Sequence, residues 1–85
     1  MDKNTQYYLD KLQEEAAEII QAVSKIRRFG PDNHHPDRKA TNTQELVQEL
    51  EDFLALLAAL EAKQVFDLTL SQDNIGKKFK SIWRG

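Results

Sequence analysis

The sequence predicts an all-α fold: a helical hairpin and a short C-terminal helix, forming a four-helix bundle by homodimerisation. Three observations predict it. Leu9, Leu12, Ala16, Ile19, Ile20, Val23 and Ile26 recur at steps of three and four, the period of an amphipathic helix. After a polar break, Leu46, Leu50, Phe53, Leu57 and Leu60 show the same period. Only Val65 to Leu70 alternates, weakly, and one short strand has no partner in this chain.

The first helix is expected from about Thr5 to Phe29. Asn4 or Thr5 can cap its start, and Gly30-Pro31 ends it. Arg27 and Arg28 fall in the last turn, where the helix dipole favours cations. Pro31 to about Asn42 is a polar connection with two prolines, long for a plain helix–helix turn. The second helix starts at Asn42 or Thr43, with Asn42 and Glu45 in a box-like capping pattern, and runs to about Lys63. Val47 and Leu54 widen its apolar stripe on one side. Val65 to Leu70 reads as a linker or an extra helical turn. A third helix follows Ser71, with Ile75, Phe79, Ile82 and Trp83 on one face and Lys77, Lys78, Lys80 and Arg84 around the rest.

With 85 residues the chain makes one domain, residues 1–85, whose core is marginal by size. The absence of cysteine removes disulfides and zinc–thiolate sites as a remedy. One hairpin cannot surround its own apolar stripes, whereas two hairpins from two chains complete a bundle, so homodimerisation is expected on physical grounds. No apolar run is long enough to span a bilayer, and the start lacks the apolar segment of a signal peptide. No membrane partner is therefore expected, and the location expected is cytoplasmic. A net charge of -2 gives no long-range attraction to nucleic acid. Lysines and arginines cluster locally, at Lys25 to Arg28 and Lys77 to Arg84, which suits a small anion.

The chemistry lies in two acidic clusters, Glu14-Glu15-Ala16-Ala17-Glu18 and Glu49-Leu50-Glu51-Asp52. Glu15 and Glu18 fall within one turn, with Glu15 at the border of the apolar stripe. Glu49 and Asp52 are three residues apart and border the second stripe, one turn after Glu45. Surface helices are rich in glutamate, and either motif alone is commonplace. Their joint occurrence on one hairpin is more specific, as is the lack of alternating charge sign along these edges. Antiparallel packing brings the two edges together, and carboxylates brought together repel or take up protons. A divalent cation resolves this, and oxygen donors with no cysteine favour Mg²⁺.

Glu-Glu-x-x-Glu, a connection, then Glu-x-x-Asp resembles the MazG-like all-α nucleoside triphosphate pyrophosphohydrolases. The likeness spans about Lys11 to Leu60, including the run from Glu14 to Gly30 of small phage-type members. It implies a Mg²⁺-dependent hydrolase, with Mn²⁺ as a substitute, that splits a nucleoside triphosphate into monophosphate and pyrophosphate. It implies assembly as a dimer or dimer of dimers. Carried over, Glu15, Glu18, Glu49 and Asp52 are the metal ligands, and Glu14 supports them or orients the attacking water. Lys25 and Arg28 match basic positions that contact phosphate. Lys77, Lys78 and Lys80 are further phosphate candidates, possible across a dimer interface. The alternative reading is a non-catalytic helical-bundle interaction module or a nucleotide sensor.

The remaining candidates have plainer readings. His34 and His35 are expected to be solvated loop residues, although either can touch a base or phosphate. Tyr7 and Tyr8 are expected to pack at the N-terminus, Trp83 with Phe79 and Ile75 to pack on the hairpin or a partner chain, and Asn42 to cap a helix. The chain has no Gly-rich phosphate loop and no Ser-His-Asp or Cys-His arrangement.

Overall fold

In the computed structural model, which describes residues 1–64 and 67–85, every regular element is an α-helix. Helix α1 spans Lys3–Phe29, α2 Asn42–Lys63 and α3 Gln72–Ile82. The expectation for Val65 to Leu70 falls partly on 65 and 66, outside the described residues; residues 67–70 are irregular.

Two of the caps differ from expectation. Asp2, not Asn4 or Thr5, caps α1, its Oδ1 accepting the Thr5 N–H at 2.7 Å. Thr41, not Asn42 or Thr43, caps α2 in a full capping box. The Gln44 N–H donates to Thr41 Oγ1 at 3.1 Å, and the Thr41 N–H donates to Gln44 Oε1 at 2.9 Å. Asn42 is thereby released for another task. Its side chain, 5% exposed, donates from Nδ2 to the Gly30 carbonyl at 2.9 Å, and its N–H donates to the Asn33 carbonyl at 2.8 Å. Thr43 adds bonds from its N–H and Oγ1 to the Pro31 carbonyl. The start of α2 therefore clasps the end of α1 and folds residues 30–41 between them. Gly30 sits at φ 92°, a backbone region that side-chain-bearing residues rarely adopt, and this lets α1 stop sharply.

The clasp makes α1 and α2 antiparallel, with Lys25 level with Glu45 and Glu18 level with Glu49. Leu60 (1% exposed) and Ala22 (5%) are the buried apolar residues of this seam. Leu9, Leu12, Ile19, Ile26, Leu46, Phe53 and Leu57 are half-buried around them. The apolar stripes are wider than the seam. Ile20 (69% exposed) and Val23 on α1, and Val47, Leu50 and Leu54 (65%) on α2, are left facing solvent. On α2 the last three lie within about 60° of one another around the axis, so they form one face.

Helix α3 is capped by Ser71, whose Oγ accepts the Asn74 N–H. It packs on neither α1 nor α2 among the described residues. Of the two placements expected for Trp83, Phe79 and Ile75, on the hairpin or on a partner chain, the first is not seen among the described residues. The Trp83 and Phe79 rings instead stack on each other at 5.5 Å, and Trp83 remains 64% exposed. Tyr7 and Tyr8 likewise meet each other, edge to face at 5.2 Å.

Replacing Asn42 with alanine orphans the Gly30 carbonyl at the clasp. The expected loss is about 1–3 kcal/mol, read as a fall in the midpoint of thermal unfolding by circular dichroism. Thr43→Ala, at an exposed position, is expected to cost less.

Candidate metal centre

Antiparallel pairing puts the acidic edges of α1 and α2 on the same side of the seam. Glu15 and Glu18, one turn apart on α1, meet Glu49 from α2. One carboxylate oxygen from each lies within 4.8 Å of the other two. Glu15 and Glu49 are half-buried and Glu18 is exposed. The Oε2 atoms of Glu15 and Glu49 are buried with no hydrogen-bond partner among the described residues. Buried carboxylate oxygens in that state are costly.

The electrostatics register the strain. The Glu49 carboxyl is pushed up to about 7, first by hydrogen bonding with the Glu18 side chain, which favours the protonated form. Burial and the charges of Glu18, Glu15 and Asp52 add to this. Glu15 is also raised, first by burial and then by Glu18, Asp52 and Glu14. A divalent cation held by these oxygens would relieve both effects. The donors are all carboxylate oxygens, which fits Mg²⁺ or Mn²⁺ and not a site selective for a thiophilic metal.

The other acids proposed from sequence lie at the margin. Asp52 is exposed and is not one of the three convergent carboxylates, though its charge acts on both Glu15 and Glu49. Glu14 is exposed and pairs with Lys11 at 3.3 Å. Its charge reaches Glu15 as a weaker influence than burial, Glu18 or Asp52.

A groove of about 590 Å³ runs from Glu18 and Glu49 to Lys25, Arg38 and Lys39. One end is acidic and the other basic. Glu45 organises the basic end: its carboxylate takes Arg38 Nη1 at 3.1 Å and Lys25 Nζ at 3.5 Å. The hydrogen bond from Arg38 is the largest of the effects holding the Glu45 carboxyl below its usual value. Arg38 and Lys39 were not among the sequence candidates. The signal was available in two adjacent cations just upstream of the α2 cap, on a connection whose ends are tied together.

The remaining basic candidates are elsewhere. The Arg28 guanidinium lies over the Phe29 ring, 4.9 Å from its centroid, and Arg28 does not line the groove. Lys77 pairs with Asp73 along α3, and Lys78 and Lys80 are exposed on that same separate helix. No family model, curated protein or solved structure matches this chain.

The raised carboxyls set a pH signature. The unfolded chain releases the Glu49 proton near 4.5, the folded chain near 7. Between these values the folded state binds more protons, so this group's contribution to stability falls as pH rises. In metal-free buffer, the unfolding midpoint is expected to decline from pH 5 to pH 8, and millimolar Mg²⁺ is expected to reverse the decline. Glu49→Gln is expected to flatten the metal-free slope and to lose most of the Mg²⁺ response. A midpoint rising with pH over this range would remove the case for repelling carboxylates.

Proposed function

We propose that the chain is a Mg²⁺-dependent nucleoside triphosphate pyrophosphohydrolase of the MazG-like kind. The observation that carries this reading is three convergent carboxylates, two of which, Glu18 and Glu49, line a groove that Lys25, Arg38 and Lys39 line as well. An acidic end that holds a cation and a basic end that holds oxyanions together suit a metal–polyphosphate substrate. In this reading Glu15, Glu18 and Glu49 hold the metal and Asp52 adds charge at its edge. Bound there, Mg²⁺ supplies charge neutralisation for the phosphates and lowers the pKa of a water. Lys25, Arg38 and Lys39 bind the phosphate oxygens, and Glu45 keeps Lys25 and Arg38 aimed along the groove. Hydrolysis adds water across one phosphoanhydride, leaving a monophosphate and pyrophosphate.

The test is pyrophosphate release from a panel of nucleoside triphosphates with Mg²⁺. Wild type is expected to turn over at least one of them. Glu49→Gln is expected to lose about 10²-fold or more in kcat/KM, in line with loss of one group from an electrostatic site. A folded wild-type protein that binds Mg²⁺-nucleotide without turnover would support the nucleotide-sensing alternative instead.

The assembly belongs to the same proposal. Ile20, Val23, Val47, Leu50 and Leu54 leave an apolar face on the hairpin, and a second hairpin covering it completes a four-helix bundle. Light scattering after size exclusion is expected to give a dimer or a dimer of dimers for wild type and a monomer for Leu54→Glu. A monomeric wild type at micromolar concentration would rule the bundle out.

A further inference from the structure

The connection of residues 30–41 builds a second cavity that the phosphate groove does not use. It measures about 370 Å³ and shares Lys25 and Glu45 with the groove, so the two spaces meet at that ion pair. Phe29, His34, His35 and Pro36 line it, with Asn33 and Asn42 beside them. We propose that this slot takes the nucleobase of the nucleotide whose phosphates occupy the groove. The inference rests on the triphosphate reading and adds to it a subsite built from residues 29–42.

The lining has the chemistry a base requires. Flat heteroaromatic rings gain most from aromatic faces and planar groups. Phe29 is half-exposed at the end of α1 and is steadied by the Arg28 guanidinium over its ring. The two histidines are fixed in opposite hydrogen-bonding states. His34 Nδ1 lies 2.8 Å from the His35 carbonyl oxygen, which can only accept, so His34 Nδ1 carries the proton. The neutral ring then has an acceptor at Nε2. His35 Nδ1 accepts the Asp37 N–H at 3.1 Å, with Asp37 Oδ2 further off at 3.8 Å, so the tautomer that makes this bond has its donor at Nε2. Side by side in sequence, the rings offer one acceptor and one donor, the pairing that base edges present in reverse. Asn33 fixes the start of this turn by accepting the His34 N–H at its Oδ1, and Asn42 fixes its base through Gly30 and the Asn33 carbonyl. These histidines, expected from sequence to be solvated loop polars, are exposed, yet Nδ1 of each is held within the turn.

Equilibrium binding by titration calorimetry tests the slot apart from catalysis. The ligands are α,β-imido nucleoside triphosphates of each common base and inorganic tripolyphosphate, all with Mg²⁺. Wild type is expected to bind at least one nucleotide about tenfold or more tightly than tripolyphosphate, the scale of one stacked base. Phe29→Leu, which keeps apolar bulk but removes the ring, is expected to reduce nucleotide binding to near the tripolyphosphate level. Its tripolyphosphate affinity is expected to be unchanged, which also reports that the variant is folded. Equal wild-type affinities for nucleotide and tripolyphosphate, or an undiminished preference in Phe29→Leu, would overturn the slot and leave the triphosphate reading standing. Binding of neither ligand to wild type would overturn both.

Discussion

The mutual repulsion of Glu15, Glu18 and Glu49 is the constraint around which the hairpin is arranged. Carboxylates within 4.8 Å of one another, with two oxygens buried and unpartnered, oppose the packing of the helices that carry them. The seam must hold in spite of them. Its fully buried apolar residues, Ala22 and Leu60, are few, so the clasp from Asn42 and Thr43 to the end of α1 matters beyond its number of bonds. It fixes the antiparallel register that places Glu49 opposite Glu18 and not a turn away. Proton uptake is one way to lower the repulsion, and the Glu49 carboxyl is raised accordingly, to about 7. A cation is the other, and the proposed function follows from the second.

The helices themselves were legible because periodicity is local. Leu9 to Ile26 and Leu46 to Leu60 carry a helical period whatever they pack against, and α2 ends at Lys63 as its pattern implies. The convergence of Glu15, Glu18 and Glu49 was legible for a related reason: acids at the edge of an apolar stripe must approach the seam once two such stripes meet. Caps were less legible. Asp2, Asn4 and Thr5 are all competent caps, as are Thr41, Asn42 and Thr43, and selection among them depends on contacts distant in sequence. Asn42 was lost to capping because the Gly30 carbonyl, twelve residues earlier, claims its amide.

The loop was the least legible part. Arg38, Lys39, His34 and His35 have no period, and their value comes from the turn that returns them to α1. Polar composition alone reads as solvated connection. The bonds of Asn33, His34, His35 and Asp37, all made within a few residues of one another, join those of Asn42 and Thr43 in folding the segment on itself. The apolar stripes erred in the opposite direction. Ile20, Val23, Val47, Leu50 and Leu54 belong to the period but not to the seam, so pattern overstated what one chain buries.

Glu45 ties these levels together. It lies one turn before Glu49 on α2, yet its carboxyl is held low by Arg38 and Lys25 while that of Glu49 is held high by its acidic neighbours. Two glutamates four residues apart on one helix edge therefore carry opposite perturbations. The difference arises from what faces them: the loop and the last turns of α1 present cations to Glu45, and the middle of α1 presents Glu15 and Glu18 to Glu49. The charge polarity of the groove thus follows from the order of residues along α1, acids first and bases toward its C-terminus. That order also agrees with the helix dipole, which favours cations in the last turn, where Arg27 and Arg28 stand. A substrate carrying its own cation at one end and bare phosphate oxygens at the other meets that polarity in one orientation. In the proposed reading, its remaining end would then pass the Lys25–Glu45 pair toward the cavity lined by Phe29.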